Sequence, residues 1–115
     1  MINIDINKIN LRININANTN TNTMRITQEH LDTIVERAKA MHLTRVILFG
    51  GALEHPEDTE DIDIAVATEE GGNFLAFAVD LERALPSVWV DVVPIQPNTP
   101  FIEYVERKGR VLYAA

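Results

Sequence analysis

Three aspartates occupy positions in the sequence where solvation alone would not place a carboxylate. Asp61 and Asp63 alternate with apolar residues in the segment DIDIAVA, and Asp91 interrupts the apolar run VWVDVVPI. A buried carboxylate costs free energy unless a cation or hydrogen bonds compensate its charge. Residues two apart on a strand point to the same side, with Cα atoms roughly 6.5 to 7 Å apart, so Asp61 and Asp63 can share one ligand. With Asp91 on a neighbouring strand, the three would form an all-oxygen site suited to Mg²⁺.

A glycine pair lies upstream of these aspartates. Gly50 and Gly51 end the apolar run RVILF and precede Asp61 by about ten residues. A backbone turn without side chains lets N–H groups approach phosphate oxygens, and a metal held by carboxylates binds the same phosphates. The ordered combination is therefore typical of a metal–phosphate site.

A second interpretation stays open on spacing alone. An Asp-apolar-Asp pattern is a weak motif that arises by chance in acidic chains. Most of the acidic run between Glu54 and Glu70 reads as the solvated face of a loop. His30, His42 and His55 are too widely spaced for a zinc pattern, and the chain has no cysteine.

Hydrophobic periodicity predicts the elements that must position the aspartates. Apolar residues at spacings of three and four predict an amphipathic helix from Thr27, its cap, to about His42. Short apolar runs predict strands, and two further apolar stripes predict helices: strands 45–49, 61–67 and 88–95, and helices 74–85 and 100–108. Residues 111–113 can return to the sheet. The fold class is α/β (α+β), a small sheet of three or more strands flanked by helices.

Composition limits the range of functions. The 115 residues are 46% hydrophobic and 23% charged, which is typical of one soluble globular domain. With 17 acidic and 10 basic residues the formal net charge is −7, so a general coat for nucleic acid is excluded. No apolar run is long enough to span a membrane. The absence of cysteine fits a cytoplasmic protein.

The first 23 residues differ from the rest, since they consist mainly of Asn, Ile and Thr. We expect residues 1–23 to be a low-complexity, disordered leader and residues 24–115 to be the folded domain. Met24 is then a candidate for the original start. The leader lacks the basic and apolar regions of a secretory signal.

The run LFGGALEHPEDTEDIDIAV, followed by VDVVPI, resembles the polymerase-β-type nucleotidyltransferase superfamily. Its small size and the ending FIEYVERKGRVLY are similar to minimal nucleotidyltransferases (MNT), which pair with HEPN-domain toxins. The resemblance implies that Asp61, Asp63 and Asp91 are catalytic and hold two Mg²⁺ ions. It also implies that Gly50 and Gly51 hold the phosphates of a nucleoside triphosphate, with ATP the expected substrate.

The chain departs from the pattern of the minimal members. Where they commonly carry Ser, Arg and a second Arg after the first glycine, this sequence has Gly51, Ala52 and Glu54. The loss of one hydroxyl and two cations weakens phosphate binding. A Gly-Gly turn with Thr59 two residues before Asp61 resembles the abortive-infection branch of the same superfamily, so Gly51 is compatible with activity.

Two functions follow from this resemblance. The first is an antitoxin enzyme that transfers a nucleoside monophosphate from a triphosphate to a hydroxyl acceptor, expected on a partner HEPN toxin. The second is a catalytically silent module that neutralises its partner by contact. An unrelated acidic scaffold is a third interpretation, but it leaves Asp91 unexplained. Because the chain is small, the partner or a second copy in a homo-oligomer can complete the pocket.

Deletion of residues 1–23 is expected to change the stability of the domain by less than about 1 kcal/mol. The Asn–Thr half of this segment offers little apolar surface to bury. Thermal unfolding of the full chain and of a chain that starts at Met24 measures the difference. A loss of several kcal/mol would show that the Ile-rich half forms a strand.

Overall fold

The helices and strands follow the order that the periodicity predicts, except for short helical segments between the first two strands. The computed structural model describes residues 26–69 and 72–115, so the leader lies outside the described residues. The helices are α1 (Gln28–Ala40), α2 (Gly51–Glu54), α3 (Phe74–Ala84) and α4 (Pro100–Lys108). The strands are β1 (Leu43–Phe49), β2 (Asp61–Thr68), β3 (Trp89–Pro94) and β4 (Arg110–Ala114).

One four-stranded sheet of order β3-β2-β1-β4 organises the described part of the chain. Strand β1 pairs antiparallel with β2 and with β4, whereas β2 pairs parallel with β3. The predicted fold class is therefore confirmed. The C-terminal run also joins the sheet, as the second edge strand.

The predicted cap of the first helix is confirmed by its hydrogen bonds. The Thr27 hydroxyl accepts from the His30 backbone N–H, and His30 Nδ1 accepts from the Thr27 N–H. This reciprocal pair satisfies donors that the first turn leaves open. The helix then buries Leu31, Ile34 and Ala38, which follow the predicted spacing.

The two faces of the sheet are covered unequally. Helices α1 and α3 pack on one face, where alternate strand residues such as Ile62, Ile64 and Val66 are buried. The other face carries a smaller cluster of Ile47, Ala65 and Val105, the last from α4. Alternation along β2 puts Asp61 and Asp63 on this second face, as predicted.

The acidic run after the glycines contains structure that periodicity does not predict. The short helix α2 begins at Gly51, and the Leu53 and Glu54 N–H groups donate to the Gly50 carbonyl. A short 3-10 helix follows over Pro56–Asp58, where proline presets the backbone. Helices of four and three residues are too short to produce a periodic signal, so the sequence alone predicts a loop here. The described helices include none long and apolar enough to cross a membrane.

Helices α1 and α3 are joined by a bidentate ion pair. Arg37 Nε lies 2.6 Å from Asp80 Oδ2, and Arg37 Nη2 lies 3.0 Å from Asp80 Oδ1. Both side chains are partly buried, and the fork geometry is the strong form of this contact.

The substitution Asp80→Asn is expected to lower the free energy of unfolding by about 1 kcal/mol, because it removes the charge from a bidentate, partly buried pair. Urea unfolding measures the change. Glu106→Gln is the matched control, since Glu106 meets Arg45 through a single contact and its side chain is more exposed than that of Asp80. Equal losses in both variants would show that the bidentate geometry adds nothing.

Candidate functional site

Sheet register places two of the three aspartates side by side. Asp63 on β2 is the Cα partner of Asp91 on β3 and, on its other side, of Phe49 at the end of β1. Directly opposed residues on adjacent strands point to the same face, so the three side chains form one row. Asp63 and Asp91 are partly buried there.

The carboxyl group of Asp63 is in an unfavourable place for a charge. Burial raises the pKa of Asp63 to about 6, and the charges of Asp91 and Asp61 and a hydrogen bond to Asp91 act in the same direction. A hydrogen bond between two carboxyl groups requires one shared proton, since ionised carboxylates only accept. Asp63 therefore holds its proton at a pH where an ordinary aspartate has lost it.

Asp61 lies at the edge of this pair. It begins β2, is exposed, and is the Cα partner of Trp89 in the next row of the sheet. Its charge nevertheless contributes to the raised pKa of Asp63. The three predicted residues thus share one face, with Asp63 and Asp91 in direct contact and Asp61 within electrostatic range.

The Gly50 turn fits against the Asp63 carboxylate. Gly50 has φ 75°, which L side chains rarely adopt, and a Cβ at this position would lie 2.7 Å from Asp63 Oδ2. Both the backbone conformation and the close approach require glycine. The predicted glycine turn and the predicted metal ligand are therefore in contact.

Two residues that the sequence spacing did not assign to the site, Thr59 and Phe101, also lie at it. A Cβ at Gly51 would lie 2.9 Å from the Thr59 hydroxyl oxygen, so Thr59 covers the second glycine. The Phe49 ring packs edge-on against Phe101 of α4, with ring centroids 5.4 Å apart, and this pair bounds the row on the β1 side. Thr59 was visible in the sequence only as part of a motif, and Phe101 gave no signal because its contact is tertiary.

The donor set at this row fits a hard divalent cation. Carboxylate oxygens are the ligands that Mg²⁺ prefers. Burial first, and then the charges of Asp91 and Asp61, raise the pKa of Asp63, and a bound cation would offset both effects. Within residues 26–69 and 72–115, however, no three His, Asp or Glu side chains converge to hold one ion. Asp63 and Asp91 would therefore supply the paired donors for such an ion, and Asp61 would have to turn toward them to complete a three-carboxylate set.

The chain is similar in fold to chains of solved toxin–antitoxin complexes. One, in the crystal structure of the toxin–antitoxin MntA–HepT, is 23% identical with a TM-score of 0.53 over 77% of this chain and 74% of that chain. Another, in a toxin–antitoxin structure with AMP-PNP, is 23% identical with a TM-score of 0.58 over 74% and 73%. A third, in the tri-AMPylated Shewanella oneidensis HEPN toxin in complex with MNT antitoxin, is 23% identical with a TM-score of 0.56 over 78% and 74%.

No family model matches the chain, and no curated protein matches it. The structural likenesses show the fold alone: a mixed α+β fold shared with chains of these toxin–antitoxin complexes. The resemblance inferred from the glycine turn and the aspartates is confirmed at the level of the fold.

The substitution Asp63→Asn is expected to remove a pH dependence of stability. In the wild type the folded pKa of about 6 exceeds the ordinary value of 3.8, so the folded state binds the proton more tightly than the unfolded state. The free energy of unfolding therefore falls as the pH rises from 3.8 to about 6. Asparagine cannot titrate. Without divalent ions near neutral pH, the variant should be more stable than the wild type by about 1 kcal/mol, discounted because Asp63 is only half-buried.

Mg²⁺ is expected to make the wild type more stable than Asp63→Asn, because the ion binds the folded wild type and relieves the repulsion between its carboxylates. Thermal unfolding between about pH 4 and pH 7, with and without Mg²⁺, measures both effects. Asp32→Asn is the control, since Asp32 is exposed on α1. If wild type and Asp63→Asn differ by a constant amount across this range, Asp63 titrates as an ordinary carboxyl.

Proposed function

We propose that this chain is a Mg²⁺-dependent nucleotidyltransferase that transfers a nucleoside monophosphate from a nucleoside triphosphate to a hydroxyl group. The observation that carries the proposal is the contact between Asp63, Asp91 and the Gly50 turn on one face of the sheet. Two carboxylates that repel one another beside a side-chain-free turn suit a metal-bound polyphosphate.

Each residue has a distinct role in this proposal. Asp63 and Asp91 hold the metal, Asp61 completes the ligand set, and Gly50 and Gly51 let the backbone approach the β and γ phosphates. When bound, two Mg²⁺ ions would neutralise the phosphate charge and stabilise the attacking and leaving oxygens. In this proposal Asp91, which lies beside Asp63 at the end of the row, accepts the proton of the attacking hydroxyl.

The proposed reaction is one in-line displacement. The acceptor oxygen forms a bond to the α phosphorus, and the bond between the α phosphorus and the bridging oxygen of the β phosphate breaks. Pyrophosphate leaves with that bonding electron pair, and the hydroxyl proton passes to a carboxylate. The acceptor retains the nucleoside monophosphate as a phosphodiester.

A HEPN-type toxin is the proposed partner and acceptor. The chains of similar fold come from toxin–antitoxin complexes, one with AMP-PNP and one in which the HEPN toxin is tri-AMPylated. Those facts belong to the other proteins, but they support ATP as donor and a partner hydroxyl as acceptor. The net charge of −7 favours a basic partner surface. Toxin and antitoxin would meet in the cytoplasm.

A non-catalytic antitoxin is the alternative, and one observation favours it. The two positions after the glycine turn where minimal members carry arginine are Ala52, which is buried, and Glu54, which is exposed. A carboxylate there repels a triphosphate. In this alternative the fold is kept as a binding surface, and the partner is neutralised by contact.

Label transfer separates the two functions. The full chain, incubated with ATP labelled at the α phosphate, Mg²⁺ and a purified HEPN partner, is expected to label the partner. Asp63→Asn should reduce labelling by at least about a hundredfold, because two-metal chemistry depends on the carboxylates that hold the ions. Asp32→Asn should label normally.

Neutralisation of the partner is measured in parallel, as recovery of bacterial growth when both chains are expressed. The enzyme proposal expects Asp63→Asn to lose both labelling and neutralisation. Equal neutralisation by the wild type and Asp63→Asn, without label on the partner, would establish the contact mechanism instead.

A further inference from the structure

The two glycines of the turn lie between a carboxylate and a hydroxyl. A Cβ at Gly50 would meet Asp63 Oδ2 at 2.7 Å, and a Cβ at Gly51 would meet Thr59 Oγ1 at 2.9 Å. Because glycine has no side chain, each of the two positions leaves room for a polar side-chain atom that follows later in the chain. The Asp63 carboxylate and the Thr59 hydroxyl border one short stretch of bare backbone.

Thr59 and Gly51 are sterically matched to each other. The Thr59 methyl carbon lies 3.2 Å from the same Cβ position, so any side chain at 51 would have to displace Thr59. Unlike Gly50, Gly51 does not have a positive φ, so its backbone does not demand glycine. The reason for glycine at position 51 is thus the space that the Thr59 side chain occupies.

Thr59 lies between two elements of regular structure, a 3-10 helix and strand β2. It directly follows the 3-10 helix Pro56–Asp58, has an extended backbone, and stands two residues before Asp61. Its side chain remains partly exposed. A partly exposed hydroxyl fixed beside a backbone turn is available to donate to a bound anion.

We infer that the Thr59 hydroxyl binds a phosphate of the nucleotide at the Gly50–Gly51 turn, and that Gly51 makes room for it. This inference rests on the proposed function, since it supplies a polyphosphate ligand to the same site. A hydroxyl that donates to an anionic oxygen forms a short, strong hydrogen bond. Here it provides a polar contact at a turn where Ala52 and Glu54 offer no positive charge.

Binding measurements on the full chain test the role of the hydroxyl. The probes are Mg-ATP and Mg-tripolyphosphate, the second of which has phosphates but no nucleoside. Thr59→Val keeps the shape and removes the hydroxyl, so it should raise both dissociation constants by the same factor, roughly tenfold or more. Thr59→Ser keeps the hydroxyl and should stay within about threefold of the wild type. Thr68→Val, at the opposite end of β2, is the control and should bind normally.

Relocating the hydroxyl gives a sharper test. Thr59→Ala should bind as weakly as Thr59→Val, and adding Gly51→Ser to it returns a hydroxyl to the same space from the other side. The double variant is expected to recover most of the lost affinity for both probes. Gly51→Ser alone should weaken binding, because the new side chain meets Thr59.

The outcomes separate this inference from the function on which it rests. Equal binding by Thr59→Val and the wild type would overturn the inference, as would equal weakening by Thr59→Val and Thr59→Ser, which indicates packing. Loss of affinity for Mg-ATP alone would also overturn it, because the contact would then be to the nucleoside. If the wild type binds neither probe, the proposed function fails as well. Thermal midpoints of all variants show that each is folded.

Discussion

The placement of two carboxyl groups, those of Asp63 and Asp91, side by side in a partly buried row is the constraint on which the candidate site depends. Parallel pairing of β2 with β3 sets the two residues opposite one another, and burial raises the pKa of Asp63 to about 6. A like-charged pair of this kind is unfavourable unless a proton or a cation occupies it. Parallel pairing in turn requires a crossover, which α3 provides, so the helix that closes the core also creates the acidic pair.

Unequal coverage of the sheet leaves that pair accessible. Helices α1 and α3 bury one face, and the Arg37–Asp80 ion pair joins them. The shorter helix α4 packs on the opposite face over Ile47 and Ala65, one row away from the aspartates. A small domain can thus devote one face to its hydrophobic core and keep the end of the other face for a polar ligand.

The sequence predicted the elements well because their signals are local. The cap of α1, the stripe of α3 and the alternation of β2 each depend on residues within one segment, and all three were found. The pairing of Asp63 with Asp91 depends on strand order and register, which no segment encodes by itself. The fit of Thr59 against Gly51 depends on the path of a loop built from two very short helices. For the same reason the contact of Phe101 with Phe49 left no trace in the periodicity.

The charges around the turn determine how such a site could bind a triphosphate. Glycine backbone and the Thr59 hydroxyl offer hydrogen bonds but no positive charge, and Glu54 adds a negative one. Neutralisation of bound phosphates would therefore fall to cations at Asp63 and Asp91, or to basic groups of a partner that approaches the open face. A site with no positive charge of its own would bind nucleotide only together with metal or with such a partner. The acidic pair would then be favourable chiefly when a cation is bound.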